Sequence, residues 1–228
     1  MISGIYRMID AGLIHQLRVE TVSNNLANIN TIAFKKDIIS FNEALSLNYI
    51  SETDFAPGSV TYTGNELDVA LNTHGFFKIQ TTQGIRYTRN GAFTVNRDGQ
   101  LVTWNGDAVL GQNGAIKING SMVSIGTGGQ VAVDDQPVDN LTVVDFKQRQ
   151  LLKKEGRSYY SYQGDETEIV APETVNIQQR YIEGANVNPT QEMIKLMEAF
   201  RAFESAQKAI QTIDEVSSKM INDAGLLQ

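Results

Sequence analysis

Apolar residues recur at steps of three and four along the first 26 positions, at Ile2, Ile5, Ile9, Leu13 and Leu17 and then at Val19, Val22 and Leu26. This is the period of an α-helix with one oily stripe, and it predicts a single long helix of roughly 20 or more residues. The stripe ends in Ser23-Asn24-Asn25-Leu26-Ala27-Asn28-Ile29-Asn30, which holds four amides. Asn tolerates the left-handed conformation, so Asn28 and Asn30 suit a helix end and the loop that follows. Asn24 and Asn25 still fall inside the helical period, where an amide competes with the backbone. Packed into a directional site, such groups fix register and partner choice, as one Asn does in a coiled coil. Asn24, Asn25, Leu26 and Asn28 are therefore candidates for an assembly surface.

From about residue 67 the pattern shortens. Runs such as Phe76-Phe77-Lys78-Ile79 and Ala92-Phe93-Thr94-Val95 alternate with Asn90-Gly91, Asp98-Gly99, Asn105-Gly106, Asn113-Gly114 and Asn119-Gly120. Each dipeptide suits a tight hairpin turn that needs positive φ, and the series predicts short antiparallel strands over residues 67–175. Helical periodicity then returns. Pro189 suits a first helical position, and Met193, Leu196, Phe200, Phe203, Ala206, Ile210, Ile213, Val216 and Met220 follow at steps near those of a heptad seam. Met193, Leu196, Phe200, Phe203, Ile210 and Ile213 are assembly candidates for the same reason.

These elements predict a mixed α and β fold, with long N- and C-terminal amphipathic helices pairing as a coiled coil and a central, mostly antiparallel β domain between them. The expected boundaries are 1–30 for the first helix, 31–66 for a connecting segment, 67–175 for the β domain, 176–188 for a return linker and 189–228 for the last helix. A two-helix coiled coil covers one narrow seam on each partner, so apolar and amide surface would remain for neighbours.

Composition narrows the function. A formal charge of -7 over 228 residues, with Lys and Arg scattered, offers no basic stripe for a phosphate backbone, so no nucleic-acid partner is expected. The absence of Cys excludes disulfides, thiolate metal sites and cysteine nucleophiles. Arg7 and Asp10 interrupt the N-terminal apolar residues, which argues against a secretory signal peptide, and no run approaches the roughly 18 apolar residues of a membrane span, so no membrane insertion is expected. With only His15 and His74, a multi-histidine metal site is impossible. His74 near Asp68 lacks a G-x-S-x-G serine, and Gly126-Thr127-Gly128-Gly129 lacks the G-K-[ST] ending of a phosphate loop. Asp134-Asp135 and Glu166 to Glu168 read as polar turns. No catalytic, cofactor or metal site is predicted, and no cofactor.

Several of these stretches are also familiar together. Ser23-Asn24-Asn25-Leu26-Ala27-Asn28 with Thr31 and Phe34-Lys35 resembles the N-terminal signature of the bacterial flagellar rod and hook family of axial proteins. The resemblance continues through Leu67-Asp68-Val69-Ala70-Leu71, Gly75-Phe76-Phe77, Tyr87-Thr88-Arg89-Asn90-Gly91 and Asp98-Gly99-Gln100-Leu101-Val102 to Glu183-Gly184-Ala185-Asn186-Val187-Asn188. It covers nearly the whole chain in order. Ala33 departs from it, standing where the family commonly has Gly. The resemblance implies a non-enzymatic structural subunit of the basal-body rod, exported through the flagellar type III export apparatus without a cleaved signal. Its implied partners are copies of itself and other rod axial proteins, joined through the terminal helices. The short stretch from Phe41 to Pro57 leaves little room for the insert of distal rod and hook members and favours the proximal rod type. A reading from another class is a glycan- or peptidoglycan-binding β domain, which would need an exposed aromatic cluster drawn from Trp104, Tyr159, Tyr160 and Tyr162. Rings filling the β core are the simpler expectation.

Overall fold

The computed structural model of the chain describes residues 2–41, 49–156 and 158–225, so residues 42–48 of the short Phe41 to Pro57 stretch lie outside the described residues. The chain folds into two compact units. One comprises Met1–Ala27, Asp37–Glu52 and Asn188–Gln228, and the other Asn28–Lys36 and Thr53–Val187.

The first unit is helical. Helix α1 spans Ile2–Ala27 and helix α2 spans Pro189–Gly225, with strands Asp37–Phe41 and Tyr49–Thr53 paired beside them. Helix α2 starts where its sequence places it: Asn188 Oδ1 accepts the Gln191 N–H at 3.1 Å and Pro189 takes the first turn, where it needs no donor. The helices pack on one another, and Asn25 near the end of α1 bonds Glu192 in the first turn of α2, so they run antiparallel.

The covered line of α2 follows the stripe that the periodicity suggested only in part. Glu192, Leu196, Ala199, Phe203, Ala206, Ile210 and Ile213 are buried or half-buried, stepping 4, 3, 4, 3 along α2. Met193 and Phe200 leave that line and are 57% and 46% exposed, together with Ile194 and Met197. Neighbouring helical positions differ by about 100°, so a period alone cannot say which of two adjacent oily lines meets the partner. On α1, Val22 is buried, Leu17, Val19 and Leu26 are half-buried, and Leu13 is exposed; the side chains of Ile2, Ile5, Ile9 and Met220 lie outside those described.

The second unit holds a central, mostly antiparallel β domain. Its largest sheet, ten strands among the described residues, places Phe76–Thr81 between Gly84–Thr88 and Ala108–Gly111, and the pairings are antiparallel. Consecutive residues point to opposite faces, so Phe77 and Phe76 serve two cores. Phe77 joins Val69, Leu71, Ile79, Phe93, Leu101, Val131 and Ile177, and Phe76 joins Tyr87, Phe146, Leu152 and Tyr160. The connecting segment 31–66 is itself structured, carrying Asp37–Phe41, Tyr49–Thr53 and Val60–Tyr62, the last paired with Tyr181–Glu183 from the expected return linker.

Asp98-Gly99, Asn105-Gly106 and Asn113-Gly114 lie in hairpin connections with positive φ at Gly, as their type demands. Asn90-Gly91 and Asn119-Gly120 do not make such turns. A Cβ on Gly91 would meet the Val69 carbonyl oxygen at 1.8 Å, so that glycine is set by close backbone approach and not by φ. Of the aromatic residues proposed as an exposed cluster, Tyr160 is fully buried, Tyr162 packs against Phe146 and Tyr159 is half-buried, while Trp104 is 79% exposed.

Candidate assembly surface

Within the helical unit, Asn25 is buried and its amide is satisfied by its own chain. Its Nδ2 donates to the Asp37 carbonyl at 2.9 Å and to Glu192 Oε2 at 3.3 Å, while Oδ1 accepts the Asp37 N–H at 2.9 Å. Lys195 Nζ donates to Glu192 Oε1 at 2.7 Å and completes the charge of that buried carboxylate. One amide thus ties the end of α1, the start of a strand and the first turn of α2. The amide that looked too polar for a helix is there because three backbone directions meet at it. A cavity of about 440 Å³ opens beside it, lined by Arg18, Val22, Glu198 and Ala202 among others.

The other candidates fall into two groups. Leu26 and Asn28 are half-buried, and the Asn28 carbonyl and side chain receive the Thr31 N–H at 3.0 Å and hydroxyl at 3.2 Å, which closes the turn after α1. Leu196, Phe203, Ile210 and Ile213 lie on the half-buried line of α2. Asn24, Met193 and Phe200 are exposed, and Met193, Met197 and Phe200 at steps of four and three form an oily ridge open to solvent. Apolar groups grouped in this way on a helix mark an interaction face.

In the β unit, a buried charge cluster was not legible in the sequence. Lys35, Arg89 and Glu183 are all within 2% of complete burial. Glu183 Oε1 accepts Lys35 Nζ at 2.6 Å and the Gly58 N–H at 2.8 Å, and Oε2 accepts Arg89 Nε at 2.8 Å. Arg89 also donates to the carbonyls of Leu71, Thr73 and Gly75, and Lys35 to that of Ala56. Burial pushes the Glu183 carboxyl up, yet the two cations outweigh it and hold the group below its ordinary value. For Lys35 burial wins over the pull of Glu183, and its pKa is lowered. Gly58 must be glycine, because a Cβ would meet the Gly184 carbonyl oxygen at 2.1 Å. Asn186 finishes the joint, accepting the Lys36 N–H at 2.7 Å and donating to the Asp54 and Ala56 carbonyls. Each of the three lies in a different one of the stretches that carry the family resemblance.

The pair drawn from His74 and Asp68 does not come together. Asp68 accepts from Thr63 and Asn65, and His74 lies 3.4 Å from Arg149, not beside Asp68. Among the described residues no group of His, Cys, Asp or Glu has the makings of a metal site, and no helix is long and apolar enough to cross a membrane.

Three family models match the chain: the flagella basal body rod protein model over residues 15–35, the flagellar hook protein FlgE/F/G D1 domain over 70–133, and the flagellar basal body rod FlgEFG protein C-terminal model over 178–223. The flagellar basal-body rod protein FlgF of Caulobacter vibrioides is 32% identical, covering 91% of each chain. The flagellar basal-body rod protein FlgG of Bacillus subtilis is 28% identical over 97% of this chain and 99% of its own, and the FlgF of Rhizobium meliloti is 29% identical over 99% of both.

Proposed function

The chain belongs to the flagellar basal-body rod protein family, and on that premise we propose that its α1–α2 unit is the part that joins neighbouring subunits into the rod. As a member of the family it is a structural subunit of the flagellar basal body, one that assembles with other rod proteins. The observation that carries the helical reading is the ridge of Met193, Met197 and Phe200. The line beside it is already occupied within the subunit, so the ridge is a second oily surface available to another chain. In this reading the two helices pair as a coiled coil along the 4, 3 line of α2, torque passes through many such contacts, and Asn25 holds the pair at a fixed register. The chain does no chemistry of its own, and it reaches the periplasmic side through the flagellar type III export apparatus.

Among rod types the proximal, FlgF-like position is favoured. Alignment with FlgF-named relatives spans 228 to 240 positions, whereas the Bacillus subtilis FlgG alignment spans 261, which places inserted residues in that relative.

Complementing a strain that lacks this chain with Phe200→Asp tests the proposal. Swimming and recovery of the chain in purified basal bodies should both be lost, while circular dichroism of the purified variant stays as in wild type, because a charge on an exposed ridge spares the fold. Normal swimming by the variant rules the ridge out.

A further inference from the structure

Trp104 is the single tryptophan of the chain and sits at the tip of the hairpin joining Leu101–Thr103 to Ala108–Gly111, 79% exposed. An exposed indole presents a broad flat face together with an N–H donor, which suits it to stack against a partly polar ring. Beside it lies a pocket of about 340 Å³ whose lining includes Thr31, Asn90, Asn105, Glu155 and Tyr159. The volume falls in the range of small-molecule sites.

The wall of this pocket is held rigid by its own bonds. Tyr159 OH donates to Asp107 Oδ2 at 2.8 Å and receives Asn105 Nδ2 at 3.1 Å, with the Thr103 hydroxyl at 2.7 Å. Asn90 Oδ1 takes the Ala92 N–H at 3.0 Å, and Arg86 is paired with Glu155. A ligand meeting this wall finds amides, hydroxyls and carboxylate already fixed in place, which lowers the ordering cost of binding.

The chemistry selects one class. The lining offers the Trp104 and Tyr159 rings and otherwise amide, hydroxyl and carboxylate groups, without a large aliphatic side chain. A protein hot spot is centred on a packed apolar core, which is missing here. Glu155 and the nearby Asp107 oppose anions such as phosphate groups. A sugar ring has an apolar face of C–H groups and a rim of neutral donors and acceptors, and it matches both halves of the pocket. We infer that the Trp104 pocket is a binding site for a neutral saccharide, stacked on the indole and hydrogen-bonded by Asn105 and Asn90.

The lone tryptophan makes the test direct. The full-length chain is titrated with tri-N-acetylchitotriose, cellotriose and maltotriose while its fluorescence is followed. At least one should give a saturable shift with a midpoint in the millimolar range or tighter. Calorimetry should find that same sugar bound at least tenfold more weakly by Trp104→Ala, whose exposed ring can be lost without unfolding, and about fivefold more weakly by Asn105→Ala. Phe200→Asp should titrate as wild type, which separates this site from the helix ridge. No saturable change with any of the three sugars overturns the inference. So does a change that survives Asn105→Ala undiminished, or one that follows protein concentration and not sugar, which would assign Trp104 to a contact between copies.

Discussion

Glu183 answers two cations in a dry site, and the triad therefore carries one positive charge in excess. That imbalance ranks the three residues. Removing Glu183 leaves two buried cations facing each other, and Glu183→Gln should cost about 3–5 kcal/mol. Removing Lys35 leaves a balanced Arg89–Glu183 pair, with Glu183 Oε1 still receiving Gly58, so Lys35→Met should cost roughly 1–2 kcal/mol. Urea denaturation of the two variants checks the order, and equal losses would refute the argument. The pH profile follows from the same groups. The Glu183 carboxyl is held below its ordinary 4.5 by Arg89 and Lys35 against burial, and that of Asp145 is lowered by Arg149 and the Phe146 N–H, again against burial. Unfolded, both take up protons first, so their stabilisation is complete above the ordinary carboxyl range and is lost as pH falls through the lower folded values. Lys35, also lowered, has the same sense in its own alkaline window: the unfolded chain keeps that proton longer, and stability gains from it as pH rises. The unfolding midpoint should therefore fall on the acid side of about 4.5, with no alkaline loss from this cluster. Ala33 is a smaller case. It is buried with φ +55°, so the position does take the left-handed conformation even where this chain has Ala in place of Gly.

At the scale of elements, local rules predict well where one neighbour decides the outcome. The start of α2 at Asn188-Pro189 and the hairpins at Gly99, Gly106 and Gly114 are such cases. One two-residue turn escapes the dipeptide rule. Val133 pairs with Gln136 across Asp134-Asp135, both at positive φ, +49° and +62°. Two left-handed residues in a two-residue loop define a turn that ordinarily carries Asn-Gly. Asp134 has a reason to be there, since its carboxylate accepts the N–H groups of Ser121 and Met122. Asp135 is exposed and bears the conformational cost alone. Asp135→Gly should raise stability by up to about 1 kcal/mol. A lower urea midpoint for this variant would show that the turn is held by something other than φ.

Across the whole molecule, the two units differ in how much they bury. The β unit has two cores and a buried charge cluster, whereas among the described residues of the helical unit Val22, Asn25, Glu192 and Ala199 are the buried side chains. Helices held by one thin line open easily. In the isolated chain, amide hydrogen exchange should be faster in α1 and α2 than in Phe76–Thr81 and Leu101–Thr103, and equal protection would contradict the idea that these helices await neighbours. Periodicity by itself determined that two oily helices enclose a β domain, because the repeat of 3.6 or 2 is a property of each segment alone. It also marked Asn25 as out of place. What only the tertiary structure decided is which line of α2 is covered and which, through Met193 and Phe200, is left open. It alone joined Lys35, Arg89 and Glu183, and gave Asn25 its partners at Asp37 and Glu192. Those choices depend on residues up to 167 positions apart in the chain, and no local pattern encodes a contact between them.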